Sequence, residues 1–114
     1  MPRNMSFALT TAQIKNRSKT VTRRFGWWFL KPGDVLNAVE KSMGLQKGEK
    51  IKRLAKIEVL SVRKERLFFM EPSDCAKEGF PLLTPYGFVC MLRSHFGPKV
   101  QTTSYVNRIE FKYI

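Results

Sequence analysis

The stretch KTVTRRF, residues 19–25, has the β-branched content of a strand and contains three cationic side chains. Side chains alternate along a strand, so Thr20 and Thr22 are expected on one face, opposite Lys19 and Arg23. The cations then either form a solvated edge that discourages strand-to-strand aggregation or line a pocket for an anionic ligand. In the first of these cases the threonines are only strand formers.

The segments around this stretch predict a sheet interrupted by short helices. KPGDVL, residues 31–36, reads as a type II turn with Pro32 and Gly33 at its centre. Helical segments are expected after caps at residues 10, 73 and 84, and further strands over residues 35–40, 54–62 and 106–114. The fold class is therefore α+β, a small β-barrel of mostly antiparallel strands with short helices packed over its openings. Without a repeat or linker, residues 1–114 are expected to form a single domain.

The charge balance predicts an anionic partner. Lys and Arg outnumber Asp and Glu by 21 to 9, for a formal net charge of +12, and no acid precedes Asp34. A globule this basic should attract polyanions, with binding that weakens steeply as salt is added. Charge alone does not separate RNA from DNA, and it can also serve only solubility.

Several classes of protein are disfavoured by composition. No apolar run approaches the roughly 20 residues of a membrane-spanning helix, and residues 1–10 lack the apolar stretch of a secretory signal. Cys75, Cys90 and His95 cannot supply the four ligands of a structural zinc site. We therefore expect a cytoplasmic protein without membrane contact, metal or cofactor. The oligomeric state is left open, with a monomer favoured.

Four short motifs stand in an order that resembles the ASCH domain of the PUA-like superfamily. They are KTVTRR, KPGDVL, AKEGF around Glu78, and IEFKYI at the end of the sequence. The resemblance runs nearly end to end and extends to small ASCH proteins of phages and prophages. It implies a PUA-like β-barrel with a cleft for RNA or a modified nucleoside, and a location in the host cytoplasm if the chain is phage-encoded.

The resemblance also implies a possible activity. Some small bacterial members are amidohydrolases that deacetylate N(4)-acetylcytidine, with a lysine base, a threonine nucleophile three residues later, and a downstream glutamate as proton donor. The matching residues are Lys19, Thr22 and Glu78. Positions three apart on a regular strand diverge, so Lys19 and Thr22 converge only if Lys19 precedes the strand or a bulge turns the chain. Alternatively, Glu78 pairs with a neighbour such as Lys77.

The remaining site prediction concerns binding. Adjacent aromatic residues after the arginines offer a stacking surface for an unpaired base, although neighbours on an extended segment face opposite ways, so one is expected in the core. The predicted nucleic-acid or substrate contacts are Arg17, Thr20, Arg23, Arg24, Trp27 and Trp28. Three functions remain open: an RNA-binding module, an amidohydrolase acting on an acetylated base, and a phage factor that occupies a host target with its basic face.

Overall fold

The computed structural model describes residues 2–42 and 45–114, in which five strands form one curled sheet. The strands are β1 (Arg3–Ser6), β2 (Val21–Arg24), β3 (Val35–Val39), β4 (Arg53–Arg66) and β5 (Tyr105–Tyr113). Their order across the sheet is β1-β3-β4-β5-β2; β1 and β3 are parallel and the other neighbours are antiparallel. The sheet curls into a half-barrel accompanied by short helices, which confirms the predicted α+β class.

Within residues 2–42 and 45–114, three helices and two single 3₁₀ turns connect the strands. The helices are α1 (Thr11–Lys15), α2 (Pro72–Lys77) and α3 (Pro85–Phe96), and the 3₁₀ turns cover Ala8–Thr10 and Leu67–Phe69. The cap of α3 is as expected, since Thr84 Oγ1 accepts a hydrogen bond from Gly87 N at 3.0 Å. The expected cap at Ser73 is wrong. The N-cap is Glu71, two residues earlier, and helix α2 begins at Pro72, since proline at the first helical position has no N–H to satisfy.

The two strands that differ from expectation are β1 and β4. Strand β1 has no alternating pattern of its own and exists because it pairs in parallel with β3, from Arg3 opposite Leu36 to Ser6 opposite Val39. Strand β4 continues to Arg66, and its register against β5 shifts at a bulge between Val59 and Ser61. A bulge bends and twists a strand, which lets β4 follow the curl of the sheet.

Two apolar clusters hold these elements together. One fills the inside of the curl and includes Met5, Phe7, Ile14, Leu36, Ile57, Ile109 and Phe111. The other lies under α3 and includes Leu67, Met70, Phe88, Val89, Leu92, Val100 and Val106. Helix α3 therefore buries Phe88, Val89 and Leu92 against the sheet end and covers an opening of the half-barrel.

The type II turn between β2 and β3 forms as expected. Gly33 has φ +94°, and Asp34 N donates to Lys31 O at 3.1 Å. Among residues 2–42 and 45–114, no helix combines the length and apolarity needed to cross a membrane.

Candidate functional site

A cleft of about 310 Å³ opens where β1, the start of β2 and helix α3 meet. One wall is polar and contains Lys19, Thr22, Arg23, Arg24 and Glu78; the facing wall is apolar and contains Phe80, Phe88, Met91, Leu92 and Phe96. Lys19, Thr22 and Glu78 are each only 2–3% exposed. The three residues assigned to catalysis by resemblance therefore line one cavity.

Lys19 reaches the same cavity as Thr22 because it precedes the strand. Strand β2 begins at Val21, so the alternation that would separate residues three apart does not apply to Lys19. Two hydrogen bonds hold this approach to the strand: Thr20 N donates to Lys77 O at 2.8 Å, and the Tyr113 hydroxyl donates to Lys19 O. Lys19 and Thr22 thus converge because Lys19 lies in the loop before β2, and not because of a bulge in the strand.

Lys19 and Glu78 form a buried ion pair. Lys19 Nζ donates to Glu78 Oε1 at 2.8 Å and to the backbone oxygen of the same residue at 2.7 Å. Burial lowers the pKa of Lys19, while the Glu78 carboxylate opposes that shift and the charges of Arg24 and Arg23 add to it. The Lys19 ammonium therefore loses its proton more readily than that of an exposed lysine.

Arg23 extends this pair into a buried ionic network. Its guanidinium donates to Glu78 Oε2 at 3.0 Å, to Asp74 Oδ2 at 2.7 Å and to Glu65 Oε2 at 3.4 Å. Arg108 Nη2 donates to Asp74 Oδ1 at 3.2 Å. Burial opposes the ionisation of Asp74, but Arg23 and Arg108 outweigh it and hold the pKa of Asp74 below its usual range. Arg23 already donates to three carboxylates, which leaves it poorly placed for the predicted nucleic-acid or substrate contact.

Arg24 connects the nucleophile candidate to the edge of the sheet. Its Nε donates to Thr22 Oγ1 at 3.0 Å, its Nη2 donates to Ser6 O at 2.7 Å, and its guanidinium lies 4.7 Å above the Phe7 ring. Burial lowers the pKa of Arg24 to about 10, so the guanidinium is charged at neutral pH. Arg24 thereby links the two edge strands β2 and β1, and places positive charge beside the Thr22 oxygen.

Four predicted contact residues lie outside the cleft. Arg17 is exposed, with its guanidinium 5.4 Å from the centre of the Tyr113 ring, and Thr20 is half-buried. Trp27 has φ +60° and packs against the core, whereas Trp28 is 51% exposed. The left-handed conformation at Trp27 turns the chain after β2, so neither indole lines the cavity.

The apolar wall of the cleft is a site feature that the sequence patterns did not indicate. Helical periodicity marks Phe88, Leu92 and Phe96 only as the buried stripe of α3 and does not mark Met91, yet all four line the cleft and Phe96 is 51% exposed. An aromatic residue at the open end of an otherwise buried stripe is the signal that could have indicated this wall. Within the described residues, no group of three or more His, Cys, Asp or Glu side chains could hold a metal ion.

Three solved structures have folds similar to that of this chain. An ASCH domain from Lactobacillus crispatus superposes with a TM-score of 0.71 over 97% of this chain and 78% of that one, at 15% sequence identity. This chain has the ASCH-domain fold. The hypothetical protein PH0355 matches this ASCH fold over the full length of both chains, with a TM-score of 0.68 and 19% identity.

A third structure with this fold is protein EF3133 from Enterococcus faecalis. It superposes with a TM-score of 0.63 and 14% identity over 100% of this chain and 76% of that one. No family model and no curated protein matches the sequence. At such identities the likeness concerns the ASCH fold alone, and the function has to be argued from the cleft.

Proposed function

We propose that the cleft binds a single nucleobase, from a modified nucleoside or from an unpaired position in RNA. The supporting observation is the pairing of an aromatic, apolar wall with a buried polar wall in one cavity of about 310 Å³. Ligand pockets span roughly 300–1,000 Å³ and combine apolar lining with a few placed polar groups. A flat heterocycle would pack against the side chains of α3 and present its hydrogen-bonding edge to Lys19, Thr22 and Glu78.

The electrostatics of the cleft favour a base over a phosphate. Lys19 and Arg23 both contact the Glu78 carboxylate, and Arg23 also contacts Asp74. The charges of Lys19 and Arg23 are therefore largely neutralised inside the protein, which leaves Arg24 as the cation of this wall without a carboxylate partner among the described residues. A dianionic or strongly charged ligand would have to compete with those carboxylates, whereas a neutral polar edge would not.

Calorimetric titration with N(4)-acetylcytidine, cytidine and a short single-stranded RNA tests this binding. Phe96→Ala removes an exposed ring from the cleft, and Phe69→Ala removes a similarly exposed ring elsewhere, so the two variants form a matched pair. Base–aromatic stacking contributes roughly 1–3 kcal/mol, so Phe96→Ala is expected to weaken nucleoside binding about tenfold. Phe69→Ala should leave it unchanged. Equal nucleoside affinity in both variants would count against the cleft as the site.

A second candidate function is hydrolysis of an acetylated base, supported by the convergence of Lys19, Thr22 and Glu78. Neutral Lys19 would take the Thr22 hydroxyl proton while Oγ1 attacks the amide carbonyl carbon. The proton would pass to Glu78, 2.8 Å from Lys19 Nζ, and then to the departing amine as the C–N bond breaks. Water would then hydrolyse the acetyl ester on Thr22, and Arg24 Nε, 3.0 Å from Oγ1, would stabilise negative charge there.

Release of cytidine from N(4)-acetylcytidine tests the hydrolase. Thr22→Val removes the hydroxyl with little change of shape, and Thr20→Val makes the same change outside the cleft. We expect Thr22→Val to abolish turnover and Thr20→Val to retain it. Because Lys19 must be neutral to act, turnover should rise with pH up to the lowered pKa of that lysine. Undiminished turnover by Thr22→Val would exclude it as the nucleophile.

A further inference from the structure

A second cavity, of about 450 Å³, lies at the end of β4, away from the nucleobase cleft. We call it the basic–aromatic groove and define it by Arg63, Lys64, Arg66, Phe69 and Tyr105. None of these residues lines the cleft, so the groove is built from an independent set of side chains. It combines three cations from four consecutive residues with two exposed rings.

The aromatic rings position the cations of the groove without neutralising them. Lys64 Nζ lies 4.7 Å from the centre of the Tyr105 ring and 5.6 Å from that of Trp28. The Arg66 guanidinium lies 4.4 Å from the Tyr105 ring centre. Within the part of the chain that the structure describes, neither Lys64 nor Arg66 forms an ion pair with a carboxylate. Their charges are therefore available to a ligand, and each side chain lies against an aromatic ring.

The acidic residues at the groove leave its exposed charge positive. Glu65 is buried, and its carboxylate is shared between Arg23 at 3.4 Å and Arg63 at 2.8 Å. Glu71 is the exposed acid of the lining. Because Arg63 is paired with Glu65, Lys64 and Arg66 are the two groove cations that face one exposed carboxylate, and an anionic ligand would meet net attraction.

Edge protection alone does not explain this surface. Pairing of β4 with β3 ends at Glu58, while pairing with β5 continues to Arg66, so the last part of β4 has one unpaired edge. Charged side chains on such an edge discourage strand addition. However, Phe69 is 62% exposed and Tyr105 is 46% exposed beside those charges. Exposed rings would weaken edge protection, whereas rings beside cations are what a single-stranded nucleic acid requires.

We propose that the basic–aromatic groove binds the phosphodiester backbone of a single-stranded nucleic acid. Lys64 and Arg66 contact phosphates, and Phe69 stacks on an unpaired base. This site is separate from the nucleobase cleft, since its ligand is the charged backbone rather than the edge of one base. Both RNA and DNA strands share that backbone, and only single strands present unpaired faces to the ring.

Fluorescence anisotropy with labelled RNA and DNA strands of one sequence, and with their duplex, tests the groove. Lys64→Gln/Arg66→Gln removes two groove cations, and Arg53→Gln/Lys56→Gln removes two exposed cations from the same strand roughly 30 Å away. We expect the groove double variant to weaken single-strand binding at least tenfold and to reduce the salt slope by about 0.7 for each phosphate that is no longer neutralised. The control double variant should bind within about twofold of the native chain.

Phe69→Ala separates this site from the cleft. Phe69→Ala should weaken strand binding about tenfold because the stacked base is no longer supported, while nucleoside binding stays unchanged. Phe96→Ala should instead weaken nucleoside binding more than strand binding. Strand binding without any nucleoside binding would reject the cleft and leave the groove standing. Equal losses of affinity in both double variants, undiminished strand binding by Lys64→Gln/Arg66→Gln, or duplex binding as tight as single-strand binding would each overturn the groove.

Discussion

Replacing Glu78 with glutamine removes a carboxylate that two buried cations share. Glu78 accepts hydrogen bonds from Lys19 Nζ at 2.8 Å and from Arg23 Nη1 at 3.0 Å. Arg23 keeps Asp74 and Glu65 as partners, whereas Lys19 keeps only the backbone oxygen of residue 78. Breaking a buried pair by removing one partner costs about 3–5 kcal/mol, against a total stability of roughly 5–15 kcal/mol. Glu78→Gln is therefore expected to lower the free energy of unfolding by about 3–5 kcal/mol.

The decrease in stability should depend on pH, with a sign set by Lys19. Burial lowers the pKa of Lys19, and the Glu78 carboxylate is the group that raises it, so Glu78→Gln lowers that pKa further. Between this lowered pKa and the unfolded value of 10.5, the unfolded chain binds more protons than the folded chain. Stability of the variant therefore rises with pH across that window. The gap between the variant and the native chain should narrow towards about pH 10.

Urea unfolding at neutral pH and at about pH 10 measures both effects. Glu58→Gln is the matched control, because Glu58 is a half-buried glutamate of β4 with no ion pair among the described residues. The control should change stability by no more than about 0.5 kcal/mol. Adding Lys19→Met to Glu78→Gln should restore stability, since it removes the unpaired charge. A double variant less stable than Glu78→Gln, or a single variant within about 1 kcal/mol of native, would refute the reasoning.

Three further predictions address packing and accessibility. Gly79→Ala should lower the free energy of unfolding in urea by roughly 1–3 kcal/mol, because Gly79 has φ +98° and a Cβ there would lie 2.8 Å from a side-chain carbon of α1. A Cβ at Gly26 would meet nothing within 4 Å, so Gly26→Ala should leave stability unchanged. Equal losses of stability in the two variants would contradict this prediction. In native thiol labelling followed by mass spectrometry, exposed Cys90 should react at once and buried Cys75, whose pKa burial raises, only as the chain unfolds; simultaneous labelling would contradict it. Arg24→Lys should speed amide exchange in β1 about tenfold, since it removes a charged hydrogen bond to the last carbonyl of that strand; unchanged exchange would argue against the link between the edge strands.

Local patterns in the sequence were sufficient for the elements whose causes are local. The alternation of Ile109 and Phe111 predicted β5, and Thr84 with Pro85 predicted the start of α3. Gly33 predicted the type II turn. Each of these signals acts over a few neighbouring residues, through side-chain periodicity, capping or allowed backbone angles, so it can be read without knowing what packs against the segment.

The same local rules were insufficient for the site. Those rules predicted that Lys19 reaches the side of Thr22 only if it precedes the strand or a bulge turns the chain. The position of Lys19 itself follows from the left-handed turn at Arg17 and from the start of β2 at Val21. They also treated Trp27 and Trp28 as neighbours of the basic residues, although the chain turns them away from the cleft. Proximity in sequence was a poor guide there, because backbone direction changes within a few residues.

The sequence by itself determined the α+β class, the strongly basic character and the positions of the strongest strands, helix caps and turn. Only the tertiary structure decided that Lys19, Arg23 and Arg108 form ion pairs with the carboxylates of residues that lie 34 to 59 positions away in the sequence. It also decided that β1 exists, as a parallel partner of β3. Ion pairs and strand pairs of that separation depend on how the whole chain closes on itself, and no short-range periodicity or propensity encodes that closure.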